Sequence, residues 1–147
     1  MSEQSYANHR RFVPAYHYVA AGILAVNFLW ALYRLFWPLP GVPVFDRLLA
    51  VAVALALALV LLYARTFPLK AQDRVIRLEE RLRLERLLPE DLKQRLGELR
   101  TGHFVALRFA GDAEVTDLVR KVLAGDLKTQ DDIKKAIGSW RADHLRV

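Results

Sequence analysis

Cysteine is absent from the 147 residues, which excludes disulfide scaffolds, Cys-ligated zinc, iron–sulfur clusters and thiol nucleophiles. Serine is scarce as well. Ser2, Ser5 and Ser139 are the only three, and none sits in the G-x-S-x-G turn that exposes a hydrolase nucleophile. No glycine-rich phosphate loop is present. The four histidines, His9, His17, His103 and His144, lack the i,i+4 pairing of a metal-binding helix. The acidic run from Asp126 to Asp132 lacks the alternating oxygen ligands and central glycine of a calcium loop. No catalytic residue, metal or cofactor is therefore expected, and the chain is expected not to be an enzyme.

Charge is missing over two stretches. Residues 12–33 carry none across 22 positions, about 33 Å as a helix at about 1.5 Å per residue, enough for a hydrocarbon core of about 30 Å. Residues 48–64 give 17 more, close to the lower limit of about 17, with flanking apolar residues and snorkelling arginines extending their reach. Between them PLPGVPVFD holds three prolines and a glycine, which stop a helix and favour a reversal. The sequence predicts a transmembrane helical hairpin over residues 12–67, with spans at about 12–35 and 46–66. Tyr16 and Tyr18 near one boundary, and Trp30, Tyr33, Phe36 and Trp37 near the other, are placed as interfacial belts. Asn27 is the one strongly polar residue deep in a span, where an interhelical hydrogen bond is its expected role. Alanines four apart, Ala50, Ala54 and Ala58 in one span and Ala21 and Ala25 in the other, would let two helices approach closely. No carboxylate, lysine or arginine lies inside either span, so an ion or proton pathway is not expected.

Basic residues set the orientation. Arg10 and Arg11 precede the first span, and Arg65, Lys70, Arg74, Arg77, Arg81 and Arg83 follow the second, against Arg34 and Arg47 in the connecting loop. By the positive-inside rule both termini are placed in the cytoplasm of a multi-pass inner (plasma) membrane protein. The first apolar stretch is too long for a signal peptide, and no small-x-small site precedes the proline-rich loop.

Beyond the spans the chain is dense in charge. Phe67 precedes Pro68, a combination that disfavours helix at Phe67 and predicts a break there. A separate juxtamembrane charged helix is expected over residues 68–88, with i,i+4 pairs at Asp73 and Arg77, Glu79 and Arg83, and Arg81 and Glu85. Val75, Ile76, Leu78 and Leu82 are read as one face, opposite Leu84, Leu87 and Leu88. That stripe is too short for the three or four heptads of a coiled coil.

Residues 89–147 predict a small all-helical domain. Pro89, Glu90 and Asp91 form a helix start, Leu92, Leu96 and Leu99 follow at helical spacing, and Gly102 is the expected stop. HFVALRFA alternates like a strand, yet no partner strand exists in the sequence, so a short buried helix is expected. Asp112 is expected to cap the next helix, whose Val115, Leu118, Val119, Val122 and Leu123 form a core-facing stripe ended by Gly125. Thr129 and Asp132 form a capping box for the last helix, along which Ile133, Ala136, Ile137 and Trp140 would share a face.

A helix-turn-helix around Gly125 is disfavoured, because Lys121 replaces the usual small residue and Asp131 and Asp132 would open the recognition helix toward phosphates. Basic excess lies nearer the membrane instead, seven Lys and Arg against four acids over residues 65–88. Arg65, Lys70, Arg74 and Arg77 are candidate lipid-facing residues. In the tail, Trp140, Arg141, Asp143, His144 and Arg146 are candidate interaction residues, with Trp140 expected to bury its ring.

Four stretches together, QSYANHRRFVPAYHYV, QDRVIRLEERLRLERLLPEDLKQRLGEL, LRFAGDAE and IKKAIGSWRADHLRV, resemble the bacterial membrane proteins of domain of unknown function family 6526. The likeness covers nearly the whole chain, with GDAE standing where SDxE is more usual. It implies no activity. The expectation from the residues is a membrane-anchored helical interaction or scaffold protein. An adaptor binding anionic lipid or nucleic acid is the alternative, and a membrane enzyme ranks third. The expected partners are the lipid bilayer and a protein partner or a homo-oligomer, with nucleic acid disfavoured.

Overall fold

The structure is a computed structural model that describes residues 5–6 and 12–143. Among these residues it is all helical, with one isolated antiparallel bridge, Ala110 to Trp140, and no strand. Residues 12–68 form one compact unit, and residues 69–143 with Ser5 and Tyr6 form another.

The first unit opens with a π-helical segment, Ala15–Ala20, that runs into α1 (Ala21–Phe36). After the loop around Gly41, whose φ of 80° suits a residue without Cβ, α2 (Val44–Leu87) begins. Ala15–Phe36 and the apolar part of α2 are each long and apolar enough to cross a membrane. Their large side chains are mostly exposed, while Ala31 and Ala54 are buried. Of the alanine ridge in α2, Ala54 and in part Ala58 are covered, whereas Ala50 is exposed. The Arg47 guanidinium donates to the Leu35 carbonyl at 3.0 Å, and the Tyr16 hydroxyl donates to the Leu61 carbonyl. Trp30, Tyr33 and Trp37 stack in succession, with centroids 5.7 and 5.2 Å apart. Asn27 is exposed and makes no hydrogen bond among the described residues, so the interhelical bond expected of it is not formed within this chain.

The break expected at Pro68 does not occur, and residues 68–88 are not a separate helix. α2 runs through the proline to Leu87. Proline forfeits one backbone hydrogen bond and costs about 3 kcal/mol, but a full break would leave four orphan groups at each of two new helix ends. Strong helix formers on both sides keep the helix whole.

The second unit is built on the last turns of α2. Ile76, Glu80, Leu84 and Leu88, each four residues from the next, are buried along one ridge. Val75, Leu78 and Leu82 are exposed, so Ile76 parts company with the face that the sequence assigns it. Behind the ridge follow α3 (Glu90–Lys93), a 3-10 turn at Leu96–Glu98, α4 (Thr101–Leu107), α5 (Val115–Ala124) and α6 (Gln130–Ala136). One core joins Leu84, Leu88, Leu92, Leu96, Leu99, Phe104, Leu107, Phe109, Val115, Leu118, Val119, Val122, Ile133 and Ile137.

HFVALRFA is helical through Leu107, as expected, and Phe104 to Leu107 are all buried. Gly102 is not a stop. It lies in the first turn of α4, where a Cβ would come within 2.8 Å of the Gln130 amide nitrogen. Gly125 ends α5 in the left-handed conformation at φ 86°. The capping box holds: Asp132 N–H donates to Thr129 Oγ1 at 3.1 Å, and Thr129 N–H to an Asp132 carboxylate oxygen at 2.9 Å. α6 ends at Ala136 and the chain turns extended at Ile137, so Trp140 is not on that helix.

Candidate interaction site

Where the extended C-terminal segment meets α2 and the start of α5, three of the four signature stretches come together. Gly111 N–H donates to the Ser139 carbonyl at 2.9 Å, and Arg141 N–H donates to the Phe109 carbonyl at 2.7 Å. These two bonds carry the isolated bridge. They bring the backbone of Ser139 so close that a Cβ on Gly111 would sit 3.1 Å from the serine hydroxyl and 3.3 Å from its carbonyl. The glycine is what the close approach requires.

Glu114 fixes the same turn from its other side. Its carboxylate accepts from Gly138 N–H and from Ser139 N–H, each at 2.9 Å. It is also the residue before α5, with no side-chain cap to its own helix. Asp112, expected to be that cap, points elsewhere. It accepts from Arg83 Nε at 2.9 Å, because a charge-assisted bond to a guanidinium is stronger than a cap to a neutral amide.

Arg83 is the hub. Its Nη1 donates to Glu80 at 2.8 Å and its Nη2 to the Ala110 carbonyl at 2.7 Å. Burial works against its charge, but the hydrogen bonds to Asp112 and Glu80 more than offset it, and its pKa is raised. Asp112 is held below the usual carboxylate range by the same bond. Glu80 is 5% exposed and also accepts from Arg141 Nη1 at 3.2 Å. The expected pairing of Arg83 with Glu79 is thus replaced by one with Glu80. Arg81 and Glu85 pair as expected, at 3.0 Å. No ion pair between Asp73 and Arg77 forms among the described residues.

The candidate tail residues are engaged with this framework. The Trp140 ring packs on Phe109 with centroids 5.0 Å apart and is partly buried, Arg141 is half exposed beside Glu80, and Asp143 pairs with Arg108 at 3.1 Å. His144 and Arg146 lie outside the described residues. Beside the network opens a groove of about 750 Å³ lined by Leu82, Leu87 and Trp140 together with Arg86 and Arg141. Glu79, Arg83 and Asp112 also line it, so the groove pairs an apolar side with charges of both signs.

The candidate lipid-facing residues divide. Lys70, Arg74 and Arg77 are exposed on α2. Arg65 is half-buried, its guanidinium 6.0 Å above the Tyr16 ring.

Sequence reasoning missed Glu80, Arg83 and Glu114. The first two were visible only as members of a charged helix, and their partners stand 29 and 61 residues away. A family model described as a family of unknown function, DUF6526, matches residues 1–147. No curated protein and no solved structure matches.

Proposed function

The chain belongs to the DUF6526 family of unknown function, and from that starting point we propose that it is a membrane-anchored helical interaction protein. In this reading α1 and the apolar part of α2 form a transmembrane hairpin in the plasma membrane. Both termini are cytoplasmic, and the helical unit of residues 69–143 presents a docking surface without catalysing a reaction. The observation that carries the reading is α2 itself. One helix holds 17 uncharged residues with exposed leucines and, farther along, the buried ridge of the helical unit. The bonds from Arg47 to Leu35 and from Tyr16 to Leu61, with sequence separations of 12 and 45, support the hairpin. The basic residues flanking the spans support the orientation.

A natural lack of cysteine makes the test direct. A single cysteine replaces Val42 in one variant and the exposed Lys121 in another, each in the full chain. In intact cells a membrane-impermeant thiol reagent should label the Val42 variant and spare the Lys121 variant until the membrane is opened. Labelling in the reverse order refutes the orientation, and release of the protein by alkaline carbonate refutes the anchor.

A second reading rests on Lys70, Arg74 and Arg77, which recur at i, i+4 and i+7 and are exposed. It makes this stretch a contact with anionic lipid headgroups, each cation worth about 1 kcal/mol near the surface. Salt-sensitive binding to vesicles containing phosphatidylserine, lost in a triple glutamine variant, supports it.

A further inference from the structure

α2 has two faces where it enters the helical unit. Ile76, Glu80, Leu84 and Leu88 turn into the core, and the other side carries Val75, Leu78 and Leu82, exposed by 54%, 60% and 47%. With Ala71 these three follow a 4-3-4 spacing, the seam along which two parallel helices interlock. The nearest charges to either side of the seam are arranged in a specific way. Arg74 precedes Val75 and Glu79 follows Leu78, positions that face one another across a parallel, symmetric pair. Neither residue has an ion-pair partner among the described residues. Farther along, Arg81 is neutralised by Glu85 in its own helix.

We propose that this face is where a second copy of the chain docks, in parallel register, with Val75, Leu78 and Leu82 against their counterparts and Arg74 of each copy beside Glu79 of the other. The charge pattern selects this occupant. Arg74 and Glu79 flank the seam with opposite signs, so a second copy in parallel register pairs both, whereas an anionic bilayer surface would repel Glu79. Farther along Arg81 meets Arg86 of the other copy, a contact softened by the bond of Arg81 to Glu85 in its own helix. The size of the seam sets its context. Three partly exposed side chains fall well short of the roughly 800 Å² per partner of a stable interface between freely diffusing proteins. The pair therefore depends on anchoring in one membrane, which fixes the parallel orientation and raises the effective concentration. To that extent it rests on the function proposed above.

Disulfide crosslinking of single-cysteine variants of the full chain in native membranes tests this. Val75→Cys, Leu78→Cys and Leu82→Cys should each give an oxidised dimer, at least five-fold more than Arg77→Cys on another side of the helix. In the Leu78→Cys background Arg74→Glu should reduce the dimer several-fold, and Arg74→Glu with Glu79→Arg should restore it. Equal crosslinking at all four positions, or failure of the double exchange to restore it, overturns the proposal. So does an absence of dimer in which anionic vesicles shield the Leu78 cysteine from thiol reagent, since the face then belongs to the bilayer surface. Topology labelling at Val42 and Lys121, run on the same membranes, separates the two readings. Correct labelling without crosslinks removes the pair and leaves the anchor, whereas a chain released by carbonate removes both.

Discussion

Leucine has two fates in this chain. Leu48, Leu49, Leu55, Leu57, Leu59 and Leu62 are about half exposed, whereas Leu84, Leu88, Leu92, Leu96, Leu99 and Leu107 are 5% exposed or less. The two sets are equally hydrophobic. What separates them is the company they keep in sequence. The first set has no charged neighbour from residue 48 to 64, so no polar face exists to be turned outward. The second is interleaved with Arg and Glu, which lets each helix turn one side to water and the other to the core. Burial within the chain satisfies the second set in water, and only an apolar solvent or another chain satisfies the first.

Substituting charges into both regions breaks the comparison most sharply. Leu118→Asp places an unpaired carboxylate in the core, at a cost of several kcal/mol that a domain this small cannot absorb. The helical unit should lose resistance to limited proteolysis while, on the proposed anchoring, the chain still withstands extraction by alkaline carbonate. Leu57→Asp should do the reverse, at about 3 kcal/mol for a charge near the middle of a span. On the proposed anchoring, the unit would remain protease-resistant and a smaller share of the protein would withstand extraction by alkaline carbonate.

Next in size is the ion network. Arg83→Met should destabilise the helical unit by about 3 kcal/mol, because Glu80 stays buried with Arg141 as its remaining guanidinium. Arg83→Met with Glu80→Leu should recover most of that loss in thermal melts of the detergent-solubilised chain. A double variant as unstable as the single one would show that the bond from Arg83 to the Ala110 carbonyl matters more than the charge pair.

His103 gives a smaller effect that depends on pH. Burial lowers its pKa, outweighing a hydrogen bond to the Lys128 backbone. The folded state therefore favours neutral imidazole, and the unfolded chain takes up a proton first as pH falls. Its contribution is complete above the ordinary imidazole pKa of about 6.5 and is lost as pH drops through the depressed folded value. Melting temperature should fall between pH 7.5 and 5.5, and by less in His103→Gln. An equal fall in both would assign the sensitivity to other groups. The smallest effect is expected on the outer face of α2, where Leu78→Gln should change stability by no more than about 0.5 kcal/mol.

How much of this could be read from the sequence follows the range of the interactions. The core stripe of α5, the stop at Gly125 and the box at Thr129 and Asp132 each depend on residues within a few positions, and all three stand as expected. The short helix expected over HFVALRFA follows from elimination, and the observed one is shifted toward the N-terminus, at Thr101–Leu107. Pro68 misled because the local preference before a proline competes with the integrity of a helix 44 residues long. Asp112 misled because the group that claims it, Arg83, is 29 residues away, and nothing in a helix-capping pattern indicates so remote a competitor. Trp140 is in phase with Ile133 in sequence. Phase carries meaning only while the helix continues, and α6 ends at Ala136. The candidate site consists almost wholly of such distant pairs, so its members were visible singly and their convergence was not.

The bridge between Ala110 and Trp140, with Arg141 on Glu80 and the Gly138 and Ser139 amides on Glu114, also bears on the order of events during synthesis. Leu84 and Leu88 leave the ribosome long before Trp140 and Arg141. Until those last residues emerge, Glu80 has Arg83 alone to balance it and the Glu114 carboxylate has no amides from the C-terminal segment to accept. The helical unit can therefore collapse early around its leucines but cannot lock. A chain cut short before Gly138 should linger as a loosely packed nascent domain, open to chaperones and proteases.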